Sequence, residues 1–261
     1  MAISRIDFIA GMAKGMAVLE SFGTERQRLN ATLAAERTGL TRAAARRHLL
    51  TLAHLGYLET EAGYFWLSSK VLRFSGNYLA SARLPRVLQP SLNRLAVRAR
   101  GAFSAVVLDG DEVVIVARSG NDRTTPVSEP SRVTPNGLHL GARLPVHATS
   151  TGRVLLAAKS EADFTQWLQG RQLARMTPLT VTDLQAFRQL VEQVRMQDFC
   201  VASEQHELAV HAMAVPLRNS QGQTVAALNV VASQARLSTT QMQHDLLPLL
   251  FEAAAELRPV L

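Results

Sequence analysis

Apolar positions first recur at helical spacing over residues 10–22, where Met12, Met16 and Leu19 line up beside Ala13 and Ala17 before Gly23. Leu33, Ala34 and Arg37, followed by Gly39 and Leu40, predict a short second helix closed by a glycine able to turn left-handed. Thr41 then stands as N-cap of a third helix, whose Ala45, Leu49, Leu52, Ala53 and Leu55 share one apolar face. Gly56 stops it. Residues 57–60 and 64–67 alternate as two short strands around Glu61-Ala62-Gly63, a hairpin with turn chemistry. Three helices and a hairpin in this order predict a winged helix-turn-helix.

Beyond the hairpin, Ser68 and Ser69 can cap a helix carrying Val71, Leu72, Phe74, Tyr78 and Leu79. A further helix starts near Pro85 and carries Val87, Leu88, Leu92, Leu95 and Ala96, with the break at Arg83-Leu84-Pro85. The period then changes. Residues 103–108 and 112–118 are β-branched runs joined by Asp109-Gly110-Asp111, and residues 121–135 are polar and proline-bearing, a loop. Helices are predicted over 149–158, 160–168 and 183–196, strands over 212–217 and 224–231, and a long amphipathic helix over 237–257. Hairpins flanked by helices predict a sheet with helices against one face. The expected fold is α+β in two domains: residues 1–68 as the winged helix-turn-helix, 69–84 as a linker helix, and 85–261 as a second domain, to which the resemblance drawn below adds effector binding and oligomerisation.

Charge sharpens this division. The 261 residues carry a net charge of +7. Residues 1–83 hold 11 Lys and Arg against 6 Asp and Glu, or +5; residues 84–261 hold 17 against 15, or +2. The excess sits with the helix-turn-helix, as phosphate attraction by one domain would require. Arg42, Arg46, Arg47 and His48 gather at the N-terminal end of the third helix, the end from which a recognition helix reads base edges. A solvated helix face is the bland alternative, but it leaves the turn glycine, the cap and the hairpin as coincidences. Duplex DNA is therefore the expected partner.

The single cysteine, Cys200, excludes an intramolecular disulfide framework and a multi-cysteine zinc site, which fits a reducing cytoplasm. The first twenty residues lack the uninterrupted apolar stretch of a signal peptide, and no run approaches the ~18 apolar residues of a membrane span. No enzyme signature is present: GxSxG, Walker A, GxGxxG after a strand and HExxH are all missing. His206 and His211, with Glu204 and Glu207 nearby, form at most an incidental metal pair, more often structural or surface; no metal and no cofactor are expected. In LPVHATSTG (Leu144 to Gly152), a helix beginning at Thr149 or Ser150 would offer free amides and hydroxyls to a carboxylate. A plain N-cap explains the same residues equally well.

Several separated motifs resemble the IclR-type bacterial transcription regulators over nearly the whole chain: AKGMAVLESF, TGLTRAAARRHLLTLAHLGYL, LPVHATSTGRVLLA, TPLTVTD, and the run SEQHELAVHAMAVPLRN leading to AALNVV. FIAGMAKGMAVLESF and KVLRFSGNYL are similar to the branch that governs the β-ketoadipate pathway of protocatechuate and 4-hydroxybenzoate breakdown. The resemblance implies an activator of aromatic-acid catabolic genes, working as a homodimer or a dimer-of-dimers tetramer on operator DNA. A repressor released from DNA by a different small carboxylate is the alternative. It also implies a GAF-like second domain whose effector carboxylate lies at the helix start matching Ala148, Thr149, Ser150 and Thr151. The remaining effector positions fall at Ser203, Val210, Ala212, Asn229 and Val231. Ala212 and Val231 are smaller or less polar than the cysteine and serine of some members, and Ala209 stands where many have glycine. On the DNA side the expected set is Thr41, Arg42, Ala43, Arg46 and Arg47 with Lys14, Thr32 and Tyr64.

Overall fold

The computed structural model describes residues 3–4, 6–23, 26–119 and 139–261. The chain forms two compact units, residues 1–80 and 81–261. The loop expected over 121–135 lies outside the described residues.

In the first unit, α1 (Ala10–Glu20), α2 (Ala31–Thr38) and α3 (Arg42–His54) precede a hairpin of β1 (Leu58–Glu61) and β2 (Tyr64–Leu67). Asn30 caps α2, its Oδ1 accepting from the Thr32 and Leu33 amides, and Gly39 ends it at φ +68°. The αL position is what a glycine was needed for. Thr41 caps α3 by accepting from the Ala44 amide. The hairpin turn places Ala62 and Gly63 both at positive φ, as a two-residue turn matching the strand twist demands. One apolar cluster binds the unit together: Val18 of α1, Ala34 of α2, Ala45 and Leu49 of α3, and Leu58 and Phe65 of the hairpin. Leu29 adds a feature absent from the sequence reading. It exchanges backbone hydrogen bonds with Phe65 at 2.9 and 2.8 Å, so the segment before α2 pairs with the wing. α4 (Leu72–Ser81) follows a single turn of 3-10 helix capped by Ser68.

The second unit opens with α5 (Arg83–Ala99), which accommodates Pro90 in its interior. A six-stranded sheet is built from β3 (Ala102–Asp109), β4 (Glu112–Arg118), β5 (Arg143–Pro145), β6 (Cys200–Ser203), β7 (Val210–Arg218) and β8 (Thr224–Ser233). The spatial order is β5-β4-β3-β8-β7-β6, with every neighbouring pair antiparallel. Between the strands run α6 (Ser150–Ala157), α7 (Glu161–Leu168) and α8 (Leu184–Gln197).

The expectation of helices on one face is corrected. Leu88, Leu92 and Leu95 of α5 and the C-terminal helix cover one face, meeting Phe103, Met213, Val215, Leu217 and Leu228. Leu155 and Leu156 of α6, Phe164 of α7 and Phe187 and Val191 of α8 cover the other, against Val106, Ile115, Ala214 and Ala227. A sheet buried on both faces is apolar at nearly every strand position, so its sequence carries little alternation to say so. The helix expected over 237–257 runs from Thr239 to Leu257 but is not α-helical throughout. A short α9 (Thr239–Gln241) passes through a π-helical turn at Met242–Leu246 into α10 (Leu247–Leu257). Pro248 has no amide to donate back along the helix, and the widened turn absorbs the missing bond.

Candidate functional site

On the first unit, the two faces of α3 separate cleanly. Ala45 and Leu49 are buried, while Thr41, Arg42, Ala43, Arg46 and Arg47 are exposed. Three other cations of this unit are engaged internally. Arg37 donates to the Ser21 carbonyl at 2.6 Å, Lys70 to the Leu55 carbonyl at 2.7 Å, and Arg28 lies 4.3 Å over the Trp66 ring. Among the described residues, Lys14, Arg42, Arg46 and Arg47 have no carboxylate partner within 4.0 Å. Lys14 is exposed on α1, and a Cβ added at its neighbour Gly15 would lie 3.6 Å from His48 Nδ1 of α3. Thr32 is exposed in the first turn of α2, and Tyr64 is exposed at the start of β2.

On the second unit, a cavity of about 590 Å³, its open mouth included, lies against the sheet face that carries α6. Its floor is apolar: Val106, Val113, Ile115, Ala202, Val210, Ala212 and Val231, with Asn229 the polar exception. The start of α6 forms a wall through Ala148, Thr149, Ser150 and Thr151. Thr149 is the N-cap, accepting from the Gly152 amide at 3.1 Å. Its side chain serves one amide only, which leaves the Ser150 and Thr151 amides as the uncapped donors of the first turn. Gly152 fixes where that turn sits. A Cβ there would fall 1.9 Å from the Val146 carbonyl oxygen, so only glycine lets α6 approach the preceding turn.

A third wall comes from Gln205, His206 and Glu207, in the segment between β6 and β7. It is pinned from several sides. Thr177 Oγ1 donates to the Glu204 carbonyl at 2.6 Å, Thr180 Oγ1 donates to the Gln205 carbonyl at 2.7 Å, and the Ala209 amide donates to Glu204 Oε1 at 2.8 Å. Gln205 Oε1 accepts from Arg153 and from the Val181 amide, at 2.6 and 3.1 Å. Burial lowers the Arg153 pKa. Burial lowers that of His206, and His147 beside it adds to the effect. His147 is lowered too, chiefly by burial, and its Nε2 donates to the Ala174 carbonyl at 2.8 Å. Burial instead raises Glu207. Burial pushes the Cys200 thiol up to about 11, against the opposing effect of Arg153, so at neutral pH it is no thiolate nucleophile.

Of the positions expected around an effector, Ala148, Thr149, Ser150, Thr151, Val210, Ala212, Asn229 and Val231 all line this one cavity. Ser203 does not. It pairs with His211, and its Oγ bonds His211 Nδ1 at 3.0 Å, while the adjacent Ala202 lines the cavity floor. Side chains alternate across a strand, so a one-residue slip in phase puts the wrong neighbour inside. His211 stands at a register position flanked by Val210 and Ala212, both cavity-lining, and so points away from the cavity that His206 faces. Among the described residues, no three His, Cys, Asp or Glu groups converge to hold a metal ion. The 205–207 wall is not legible in the sequence, where His206 and Glu207 stand out only beside His211 and Glu204 as an incidental metal site.

A winged helix-turn-helix with free cations at its recognition helix, followed by a sheet unit enclosing a small-molecule cavity, defines the class of ligand-responsive transcriptional regulators. The chain belongs to the IclR family: the profile of the IclR helix-turn-helix domain matches residues 11–62, and that of the bacterial transcriptional regulator IclR C-terminal matches residues 76–258. It is a regulator and not an enzyme. It is 50% identical over 255 residues to the Pca operon regulatory protein of Acinetobacter baylyi, covering 98% of this chain and 90% of that protein. Identity is also 50%, over 252 residues, to the p-hydroxybenzoate hydroxylase transcriptional activator of the same organism, covering 97% and 92%. Among solved structures, the PobR inducer-binding domain from Acinetobacter, a double mutant in complex with 3-hydroxybenzoic acid, superposes with a TM-score of 0.62 at 42% identity. That match covers 68% of this chain and 98% of the domain.

Proposed function

We propose that this regulator activates genes for the breakdown of protocatechuate or 4-hydroxybenzoate, binding operator DNA through α3 and an aromatic acid in the cavity of its second unit. The observation that carries the effector reading is the start of α6. Ser150 Oγ is buried with no partner beside two uncapped amides, opening onto an apolar floor of Val106, Val113, Ile115, Ala212 and Val231. Carboxylate oxygens satisfy those donors and the ring covers the floor. The names of the two half-identical relatives and the acid held by the PobR domain support the same ligand class.

In the DNA reading, Arg42, Arg46 and Arg47 enter the major groove with Thr41 and Ala43 at the leading end of the helix. Lys14, Thr32 and Tyr64 approach the phosphates. One helix reads few base pairs, so the working form is a homodimer or a pair of dimers on two half-sites, in the cytoplasm. Effector binding shifts how the paired DNA-binding units are presented. Among the described residues, no helix is long and apolar enough to cross a membrane.

The test combines two measurements on the full chain. Operator binding followed against salt in the Arg42→Ala, Arg46→Ala and Arg47→Ala variants should lose affinity, with the log–log salt slope falling by about 0.9 for each phosphate contact removed. Thermal unfolding with 4-hydroxybenzoate or protocatechuate at ~100 times its Kd should show about 2.7 kcal/mol of stabilisation. Unchanged operator affinity and slope in all three variants would defeat the α3 assignment, and no acid raising the melting temperature would defeat the effector assignment. A promoter fusion that rises with the acid in the wild type and stays silent in a deletion strain separates activator from repressor.

A further inference from the structure

Among the described residues, three side-chain atoms are buried without a hydrogen-bond partner: Ser150 Oγ, His206 Nδ1 and Asn229 Oδ1. All three residues line the same cavity, one from its helical wall, one from its loop wall and one from its floor. An unmet buried polar atom costs about 1–3 kcal/mol, so chains rarely leave them, let alone gather them. Ser150 is answered by the carboxylate of the proposed function. The other two are not, and a benzoate ring alone would leave them unmet.

What they demand follows from their chemistry. Asn229 presents an amide, with its oxygen an acceptor. A histidine kept neutral by burial offers one ring nitrogen as acceptor and the other as donor. A hydroxyl, which both donates and accepts, matches this pair. A second carboxylate does not. Among the residues lining the cavity there is no Lys or Arg, and the one carboxyl group is that of Glu207. A second anionic end would sit without a counter-charge and next to a group of its own sign.

Resting on the carboxylate reading above, we propose that His206 and Asn229 are specificity-determining residues that bind a ring hydroxyl, while Glu207 and the lack of a lining cation exclude dicarboxylates. The cavity thereby selects a hydroxylated aromatic monoacid over plain benzoate and over an open-chain dicarboxylate. A pocket built to bond a hydroxyl rejects the analogue lacking it strongly, because its own polar atoms stay unpaired.

Calorimetric titration of the full-length protein with 4-hydroxybenzoate, 3-hydroxybenzoate, benzoate and adipate tests this. In the wild type, one of the two hydroxybenzoates should bind at least tenfold more tightly than benzoate, with adipate weaker still. In Asn229→Leu and His206→Phe, that ratio should fall towards one while benzoate affinity stays within about threefold, so retained benzoate binding doubles as the folding control. Glu207→Gln should improve adipate binding and leave the hydroxybenzoates alone. Benzoate matching both hydroxybenzoates in the wild type overturns the proposal and leaves the carboxylate reading intact. Equal losses for benzoate and hydroxybenzoate in both variants overturn it as well. Failure of all three aromatic acids, and of protocatechuate titrated beside them, to bind brings down the carboxylate reading itself, and this proposal with it.

Discussion

Arg153 donates through a terminal guanidinium nitrogen to Gln205 Oε1 at 2.6 Å, joining α6 to a loop 52 residues further along the chain. The arginine is 3% exposed, and among the described residues no carboxylate lies within ion-pair distance of it. Its other contacts include the His147 carbonyl, which accepts from Nε at 3.1 Å, the Cys200 thiol and the face of Phe187 at 5.9 Å. The charge is therefore held by neutral groups, and one of its two oxygen acceptors belongs to the cavity wall.

That arrangement makes the two partners unequal under mutation. Arg153→Met removes the charge, and Gln205 Oε1 keeps its bond from the Val181 amide at 3.1 Å. Gln205→Leu leaves a buried cation short of an acceptor, at a cost of about 1.5–3 kcal/mol for a lost hydrogen bond to a charged group. Urea unfolding should place Gln205→Leu well below Arg153→Met in stability. Equal losses would mean that the guanidinium finds water when Gln205 is gone.

Gly152→Ala tests whether the α6 start is held as tightly as the geometry implies. The new Cβ would meet the Val146 oxygen at 1.9 Å and the Val146 carbonyl carbon and Cα at 2.6 Å. These are backbone atoms and cannot rotate away. Either α6 withdraws or the turn before it moves, at a cost of at least about 1–3 kcal/mol. Since the Ser150 and Thr151 amides move with the helix, aromatic-acid binding should be lost along with thermal stability. A variant with wild-type melting temperature and wild-type acid affinity would show that this turn is not fixed.

Much of this architecture could be read from residue order. Thr41, Ser68 and Thr149 each cap the helix or turn expected of them, because a cap is a local bond between a side chain and an amide two or three residues on. Gly39, Gly56 and Gly63 take the positive φ that their places required. The misses are non-local. β5 and β6 have three and four residues, too few to show a period. Leu29 becomes strand-like only because Phe65 is there to pair with it. Within the cavity, helix-start and floor residues were legible, and Ser203 was displaced by a single step of alternation. The 205–207 wall depends on Thr177, Thr180 and Arg153, which lie more than twenty residues away in sequence.

Ala209 carries a cost that glycine would avoid. It sits at φ +60°, where an L side chain crowds the following carbonyl, and its own carbonyl accepts from the Gln234 amide at 2.8 Å, so the conformation is held in place. Ala209→Gly should stabilise the chain by about 0.5–1 kcal/mol after the greater freedom of unfolded glycine is subtracted. Chemical denaturation with an unchanged slope would register the gain as a higher midpoint. A lower midpoint would mean that the Ala209 methyl group makes packing contacts worth more than the backbone strain.

The buried histidines give stability a pH dependence of definite sign. In the folded chain His147 and His206 both titrate below the ordinary histidine value, and burial is the leading cause for each. In the unfolded chain they return to about 6.5. Between the two values the unfolded state binds more protons, so stability rises with pH; what these residues contribute is complete above about 6.5 and is lost as pH falls towards the folded values. The urea midpoint should therefore drop between pH 7.5 and 5.5, with a limiting slope of about 1.4 kcal/mol per pH unit for each proton taken up. Glu207, raised by burial, acts with the opposite sign but from the carboxylate range upward, so it offsets only the acid end of this window. His147→Gln keeps a donor for the Ala174 carbonyl and removes the titration, and it should flatten the profile. A midpoint that holds steady or climbs on acidification in the wild type would show that these imidazoles are not kept neutral by the fold.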